Sequence, residues 1–199
     1  MRISWPQSHP LTRTLNPKMN HTDFSEKRIR LADLTIRQVT KADLPALEWE
    51  GEYWKFRAMF ADLYRNSLLG RTLLWVIAAP GGELIGQAFV MLKSGERDAA
   101  NGKDRAYVFA FRVKSAWQNR GIGSYLMRFV EDDLRQRGFS YVTLNVAKDN
   151  LPALRLYKRL GYQVTGSRPG IWSYRDPDSV VHHVNEPAWR MLKNLKGDG

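Results

Sequence analysis

The stretch that decides the fold reads Gln118-Asn119-Arg120-Gly121-Ile122-Gly123-Ser124. It follows an apolar, strand-like segment from Ala106 to Val113, and it precedes apolar residues spaced three and four apart, as in a helix with one buried face. The start of a helix presents free N–H groups and a partial positive charge, and glycine lets a phosphate come close to the backbone. The sequence therefore predicts a phosphate-binding turn between a strand and a helix.

Two commoner phosphate-binding motifs are excluded by the same residues. The stretch lacks the Gly-Lys-Ser/Thr of a P-loop, and no third glycine completes the G-x-G-x-x-G of dinucleotide-binding folds. One alternative stays open at this point, because Gly121 and Gly123 would also suit a plain strand-to-helix turn in which glycine relieves backbone strain.

A second motif lies downstream, after one predicted helix and one predicted strand. It reads Asn150-Leu-Pro-Ala-Leu-Arg-Leu-Tyr157-Lys-Arg-Leu-Gly161-Tyr162. The first stretch resembles the Q/R-x-x-G-x-G/A signature of the GNAT superfamily of N-acetyltransferases, and the second resembles the N-x-x-A-x-x-L-Y-x-x-x-G-F/Y segment of the same family. Two motifs in this order are far more specific than either alone.

The resemblance implies the fold. We expect a single GNAT-like α/β (α+β) domain, with a mixed central sheet of about seven strands splayed between strands 4 and 5 and flanked by about four helices. This domain would span residues 32–196. Residues 1–31 are polar, contain several prolines and show no periodicity, so we expect a poorly ordered or loosely docked N-terminal extension.

The boundaries of individual elements follow from local patterns. We expect a strand over Leu34–Val39, a helix from the capping box at Thr40 to about Glu50, and a second helix from about Tyr53 to Leu69. Two apolar runs around Pro80-Gly81-Gly82-Glu83 predict a hairpin. In the tail we expect strands near 162–166, 171–174, 180–184 and 188–195.

The resemblance also assigns the donor site, which would bind acetyl-CoA. Backbone groups of Phe111 and Val113 would contact the pantetheine arm lying in the gap of the sheet. The diphosphate would be held by Gln118, Asn119, Arg120, Gly121, Ile122, Gly123 and Ser124. Asn150 would contact the pantetheine or acetyl end, although its position also suits a plain helix cap.

Tyr157 is the catalytic candidate, because the resemblance puts it near the thioester sulfur. A tyrosine has an unperturbed pKa of about 10, so it stays protonated at neutral pH and can donate a proton to a departing thiolate. Its position on the apolar side of a helix also suits a core aromatic residue with a solvated hydroxyl. Backbone N–H groups near Phe111 would stabilise the oxyanion.

The base that accepts the proton of the amine is not identified by the sequence. Histone-type relatives carry a glutamate at the position of Tyr107, so this chain departs from their pattern. The remaining acidic candidates are Glu48, Glu50, Glu52 and Asp104. His182 and His183 are also candidates, but neighbours on a strand face opposite ways, so at most one points into a given site. We expect no metal site.

Length and composition narrow the class of protein. No apolar run reaches the roughly 20 residues of a membrane helix, and the N-terminus has prolines and polar residues where a signal peptide is apolar. The absence of cysteine excludes disulfides, thiolate nucleophiles and cysteine-ligated metals. We therefore expect a cytoplasmic protein, monomeric or homodimeric, without a membrane partner.

Three functional hypotheses remain. The first is acetyl transfer to a primary amine of a small molecule or peptide; within it, Gly166-Ser-Arg-Pro-Gly-Ile-Trp172-Ser-Tyr174 loosely resembles N-terminal protein acetyltransferases that modify ribosomal proteins. The second is a non-catalytic acyl-CoA sensor. The third, a nucleic-acid binder, rests on the net charge of +11, but no zinc-finger spacing or RNA-binding signature supports it, and we do not expect it.

Overall fold

The structure is a computed structural model that describes residues 29–197. Most of the predicted N-terminal extension, residues 1–31, lies outside this range. The described chain contains nine strands: β1 (Thr35–Gln38), β2 (Thr72–Ala78), β3 (Leu84–Met91), β4 (Arg105–Val113), β5 (Tyr141–Ala147), β6 (Gln163–Arg168), β7 (Ile171–Arg175), β8 (Val181–Asn185) and β9 (Ala188–Asn194). Its α-helices are α1 (Arg57–Leu68), α2 (Ile122–Gln136) and α3 (Leu151–Arg159). Short 3-10 turns occur at Leu31–Asp33, Lys41–Asp43, Pro45–Glu48, Trp54–Phe56 and Ser115–Trp117.

Seven strands form one mixed sheet in the order β1-β2-β3-β4-β5-β9-β6. All neighbours run antiparallel except β4 and β5, which run parallel and are connected through α2. Strands β7 and β8 pair only with each other, as a separate antiparallel ribbon. The predicted mixed sheet of about seven strands in a single α/β domain is confirmed.

The sheet is covered on both faces. On one face, apolar residues of α2 such as Leu126, Val130 and Leu134 pack in a core with Val108 and Leu144. On the other face, α1 and the turns before it pack against β2, β3 and β4. Strands buried on both sides are apolar at most positions, which explains the mainly apolar sequences of β2 and β3.

The predicted helix from Thr40 to Glu50 is wrong. The segment forms two 3-10 turns, although the Thr40 N–H does donate to the Asp43 carboxylate at 2.7 Å as the capping box requires. Pro45 has no N–H to continue a helical ladder, and Trp49 and Glu50 adopt φ of 48° and 56°, which ends the segment. The hairpin at residues 80–83 and the other predicted elements appear within a few residues of their expected bounds.

Within residues 29–197, no helix is both long enough and apolar enough to cross a membrane.

Candidate functional site

The sheet opens between β4 and β5. Pairing of the two parallel strands runs from Arg105↔Tyr141 only as far as Val108↔Leu144, whereas β4 continues to Val113 and β5 to Ala147. From residue 109 onward, the edge of β4 that faces β5 therefore has no ladder partner. The result is the predicted splay, a gap lined by main-chain hydrogen-bonding groups.

A β-bulge in β4 marks the start of this gap. The register with β3 shifts between Gln87↔Arg112 and Phe89↔Phe109, and Ala110 adopts a φ of 48°, in the left-handed region. The Gln87 side chain, itself fully buried, donates from Nε2 to the Ala110 carbonyl oxygen at 3.2 Å. A bulge leaves one residue out of the ladder and re-aims those after it.

Beyond the bulge, the main-chain groups of Phe111 and Val113 face the gap. The Lys114 N–H donates to the Ile85 carbonyl on the far side, at 2.8 Å, and main-chain groups alternate in direction along a strand. Phe111 and Val113 must then present theirs to the side of β5. The Gln118 amide agrees with this direction, because its Nε2 donates to the Val113 carbonyl oxygen at 2.9 Å.

The start of α2 lies immediately after this strand edge. Gly121 is the N-cap with a φ of 80°, and Asn119 adopts a φ of 60°, as expected for residues that tolerate the left-handed conformation. Within residues 29–197, no acceptor is bonded to the N–H groups of residues 119–124, and the Tyr125 N–H is the first that bonds back, to the Gly121 carbonyl at 2.9 Å. This row of free donors at a helix N-terminus suits an anion.

The two glycines differ in their surroundings. A Cβ at Gly121 would lie 3.9 Å from a Leu31 side-chain carbon, so its conformation rather than space requires glycine. A Cβ at Gly123 would lie 3.5 Å from carbons of Phe111 and Leu156, which is ordinary contact. Gly123 therefore borders the packing between α2, α3 and β4, where an alanine would also fit.

The two candidate residues of the second motif lie at the start of α3 and within it. Asn150 caps this helix, since its Oδ1 accepts from the Ala153 N–H at 3.1 Å, as the alternative interpretation of Asn150 predicts. Tyr157 is only 1% exposed, with its ring centroid 6.1 Å from Phe111 and 5.8 Å from Tyr162. The alternative of a solvated Tyr157 hydroxyl does not match this burial.

Aromatic residues gather on the opposite face of the sheet. Phe56, fully buried, lies 4.8 Å from Tyr174 and 6.3 Å from Trp172 of the β7–β8 ribbon, measured between ring centroids. Tyr53 lies 6.3 Å from Phe56. The ribbon is thus seated on the turn Trp54–Phe56, and these aromatic residues form one cluster. Most of them are core residues as well.

Arg112 belongs to this aromatic face, and sequence reasoning missed its position. The side chain is 4% exposed, and its guanidinium carbon lies 3.7 Å from the centroid of the Tyr53 ring. Burial lowers the pKa of Arg112 to about 10 and raises that of Tyr53 to about 12. An arginine inside an otherwise apolar strand was the available signal, as was Gln87 in β3.

Two of the acidic candidates for a base form ion pairs, and a third lies at the end of β4 that is remote from the gap. Glu48 accepts from Arg57 through both oxygens at 2.6 and 2.8 Å, and Glu50 accepts from Lys114 at 2.8 Å. Asp104 precedes β4 at the end remote from the gap and accepts from Asn101 at 2.6 Å. Glu52 is exposed beside Tyr53.

Tyr107 lies at the glutamate position of histone-type relatives, and the two histidines are the other candidates for a base. Burial raises the pKa of Tyr107 to about 12, so this residue is a neutral phenol. The His182 ring stacks on Tyr174 at 4.8 Å, and its Nε2 lies 2.7 Å from an Asp176 carboxylate oxygen. His183 is exposed.

Comparison with known proteins gives a family-level match. The sequence model of the acetyltransferase (GNAT) family matches residues 36–162. N-acetyltransferase 8F1 of Rattus norvegicus is 27% identical over 124 residues, which cover 59% of this chain and 54% of that protein. The L-amino acid N-acetyltransferase AaaT of Escherichia coli (strain K12) is 30% identical over 95 residues, 46% of this chain and 54% of that protein. The chain spans about half the length of these curated relatives.

A solved structure has the same fold. The ribosomal-protein-S18-alanine N-acetyltransferase from Escherichia coli superposes with a TM-score of 0.60 at 22% identity, covering 83% of this chain and 96% of that one.

Proposed function

Because the chain belongs to the acetyltransferase (GNAT) family, we propose that it is an N-acetyltransferase that moves the acetyl group of acetyl-CoA to a primary amine of a small molecule or peptide. One observation carries the proposal: the gap between β4 and β5 leads directly to the free N–H groups at the start of α2. An extended pantetheine arm suits the gap, and a diphosphate suits the helix start.

The diphosphate is assigned to residues 118–124. The N–H groups of residues 119–124 have no acceptor among residues 29–197, and the positive end of α2 lies behind them. Arg120 is exposed with its guanidinium carbon 5.4 Å from the Trp117 ring, so it can turn toward a phosphate. The Gln118 side chain donates to the Val113 carbonyl and its N–H donates to the Ser115 carbonyl at 3.2 Å, so Gln118 would fix the start of the phosphate-binding turn.

The pantetheine arm is assigned to the main chain of Phe111 and Val113, which it would meet as a neighbouring strand would. Asn150 can serve at the inner end of the arm while it caps α3, because the cap uses only Oδ1 and leaves the Nδ2 donor for the ligand. The capping role and the binding role of Asn150 are compatible.

The reaction joins the acceptor nitrogen to the thioester carbonyl carbon and breaks the carbon–sulfur bond. In the proposed mechanism, the N–H of Phe111 binds the carbonyl oxygen as negative charge develops on it. The Tyr157 hydroxyl gives its proton to the departing sulfur. The proton lost by the amine passes to water, because the carboxylates of Glu48 and Glu50 are held by cations; we assign no single base.

The acceptor is assigned to the face of the sheet that carries Phe56, Trp172 and Tyr174. An aromatic, partly buried face suits the apolar part of an amine-bearing molecule. The names of two similar proteins differ in acceptor, an L-amino acid for one and the alanine of ribosomal protein S18 for the other. Both kinds of primary amine belong in the test.

Release of free CoA thiol from acetyl-CoA, measured with polyamines, amino acids and N-terminal peptides, tests the proposal. We expect turnover with at least one class, and none with a Gly121→Val variant. Tight binding of acetyl-CoA without turnover by any amine would favour an acyl-CoA sensor. A folded protein that binds no acetyl-CoA would refute the proposed function.

A further inference from the structure

We infer that Gln87 is a positioning residue that holds the bulge of β4 in the shape required for acetyl transfer. The inference rests on the proposed function, in which the Phe111 N–H binds the developing oxyanion. Gln87 is fully buried and lies on β3, and it reaches the strand that borders the gap through one hydrogen bond, from Nε2 to the Ala110 carbonyl at 3.2 Å.

The bulge needs a partner of this kind. Ala110 has a φ of 48°, a conformation that is unfavourable for a residue with a Cβ relative to a regular strand. The register shift between Gln87 and Phe89 takes the Ala110 carbonyl out of the normal β3–β4 ladder, and Ala110 is itself 1% exposed. A buried carbonyl without a donor is unfavourable, and the Gln87 amide supplies that donor.

The composition of β3 shows how unusual this residue is. Gln87 lies in the run Leu84–Met91, whose other side chains are apolar, and its Oε1 has no hydrogen-bond partner among residues 29–197. A buried side-chain amide whose oxygen makes no hydrogen bond is energetically unfavourable, so packing alone does not explain a glutamine at this position. The hydrogen bond from Gln87 to the Ala110 carbonyl in the bulge explains the glutamine.

The consequence for catalysis follows from the direction of the main chain. The bulge sets which main-chain groups of β4 face the gap, so Phe111 presents its N–H there only while Ala110 keeps its left-handed conformation. If the Gln87 bond is lost, the bulge can relax toward a regular strand and turn this donor away. Gln87 thus acts on the thioester through Ala110 and Phe111 without touching it.

Gln87→Met tests the inference, because methionine has a similar length and flexibility but no donor. The first readout needs no acceptor: the infrared stretch of bound acetyl-CoA labelled with ¹³C at the carbonyl, which a hydrogen bond to the oxygen lowers. In the wild type we expect a lowered frequency. In Gln87→Met we expect a frequency closer to that of free acetyl-CoA, with affinity within about threefold, since only the donor's position changes.

The second readout is the division between kcat and KM with an amine that supports turnover. We expect kcat to fall by about 10–100-fold with an almost unchanged KM for acetyl-CoA, as for a misplaced oxyanion donor. Thr72→Val is the matched control: Thr72 is a buried β2 residue whose hydroxyl donates to the Leu63 carbonyl at 3.1 Å, away from the gap. This variant should lose stability and keep both the carbonyl shift and kcat.

A rescue variant keeps the test decisive if Gln87→Met folds poorly. Glycine adopts positive φ without strain, so adding Ala110→Gly should restore folding and much of the carbonyl shift. Wild-type frequency and kcat in Gln87→Met, or no rescue by Ala110→Gly, would overturn the inference. A wild type that binds acetyl-CoA with an unshifted carbonyl would overturn it too, whereas a wild type that does not bind acetyl-CoA would refute the proposed function itself.

Discussion

The hydroxyl of Tyr157 is the most direct target for mutagenesis. Tyr157→Phe keeps the ring contacts with Phe111 and Tyr162 and removes the hydroxyl, which is the proposed proton donor. We expect kcat to fall by about 10²-fold or more while affinity for CoA stays within about twofold, because the proton is transferred only in the transition state. Steady-state thiol release and calorimetric titration with CoA measure the two quantities.

Tyr162→Phe is the matched control, since Tyr162 is a neighbouring tyrosine that is 2% exposed. Loss of the Tyr162 hydroxyl should change the free energy of unfolding more than it changes kcat. If Tyr157→Phe turned over at the wild-type rate, Tyr157 would have no part in the mechanism.

Asp43 carries a prediction about stability and pH. Its carboxylate accepts from both terminal nitrogens of Arg37, at 2.6 and 2.7 Å, and from the N–H and hydroxyl of Thr40, both at 2.7 Å. These bonds, that from Arg37 first, hold the pKa of Asp43 well below its usual range. We expect Asp43→Asn to reduce the free energy of unfolding by about 2 kcal/mol near neutral pH, as for a lost charged hydrogen bond.

The sign of the pH dependence follows from the lowered pKa. A carboxyl group with a lower pKa in the folded state stabilises fully above its unfolded pKa of about 4, and the contribution decreases as the pH falls toward the folded value. The difference between wild type and Asp43→Asn in urea unfolding should therefore be constant from about pH 5 to 8 and shrink below about pH 4. A difference that persists undiminished in acid would mean that the carboxylate charge is not its source.

Residues that act through local hydrogen bonds were predictable, and residues that act across the sheet were not. The pairing of Thr40 with Asp43 and the cap at Asn150 each involve groups three residues apart, so their spacing in the sequence was sufficient. Gln87 and Arg112 acquire their roles from strands and turns far away in the chain. Their polarity within apolar runs was visible, but their partners depend on strand order and register.

At the scale of elements, periodicity identified α2, α3 and most strands because each has one strongly apolar face or is apolar throughout. The local pattern failed between Thr40 and Glu50, where the capping box at Thr40 suggested a helix and the missing N–H of Pro45 prevented one. Strands β7 and β8 were expected in the tail, but their separation from the main sheet was not. Strand partners are chosen by long-range contacts, which a local pattern does not contain.

The β7–β8 ribbon supports a prediction about the acceptor. Gly170 opens the ribbon with a φ of 65°, and a Cβ there would lie 1.7 Å from the Glu186 carbonyl oxygen, an impossible distance. Gly170→Ala must therefore move the start of the ribbon and, with it, Trp172 and Tyr174 against Phe56. We expect the KM for the acceptor to rise by about tenfold or more while binding of acetyl-CoA stays unchanged, because the donor site uses other elements.

Gly166→Ala provides the comparison, because Gly166 lies in neighbouring β6 and its added Cβ would meet only an Arg168 side-chain nitrogen at 3.6 Å. Initial rates at varied acceptor concentration measure the KM for the acceptor, and calorimetry measures the binding of acetyl-CoA. An unchanged KM for the acceptor in a folded Gly170→Ala protein would mean that the ribbon is not part of the acceptor site.

In the proposed function, the donor site and the acceptor site lie on different sides of one sheet. The helix start and Tyr157 lie with the core of α2 and α3, whereas Phe56, Arg112 and the ribbon lie with the core of α1. The opening between β4 and β5 connects the two faces. This organisation was accessible from the sequence only through the family resemblance, since periodicity predicts elements but does not say which strands part.

The final prediction concerns the coupling of acetyl-CoA binding to the stability of the whole domain. A ligand at about 100 times its Kd adds roughly 2.7 kcal/mol to the free energy of unfolding, which for a domain of this size raises Tm by about 5–10 °C. We expect acetyl-CoA to produce this shift and acetyl-pantetheine, which lacks the phosphates, to produce little.

Gly121→Val should abolish the shift, because valine disfavours the φ of 80° that starts α2. Gly138→Val, with a φ of 86° at the other end of α2, imposes similar strain away from the free N–H groups and should lower Tm but keep the shift. A full shift in Gly121→Val, or its loss in Gly138→Val, would mean that the start of α2 does not bind the phosphates.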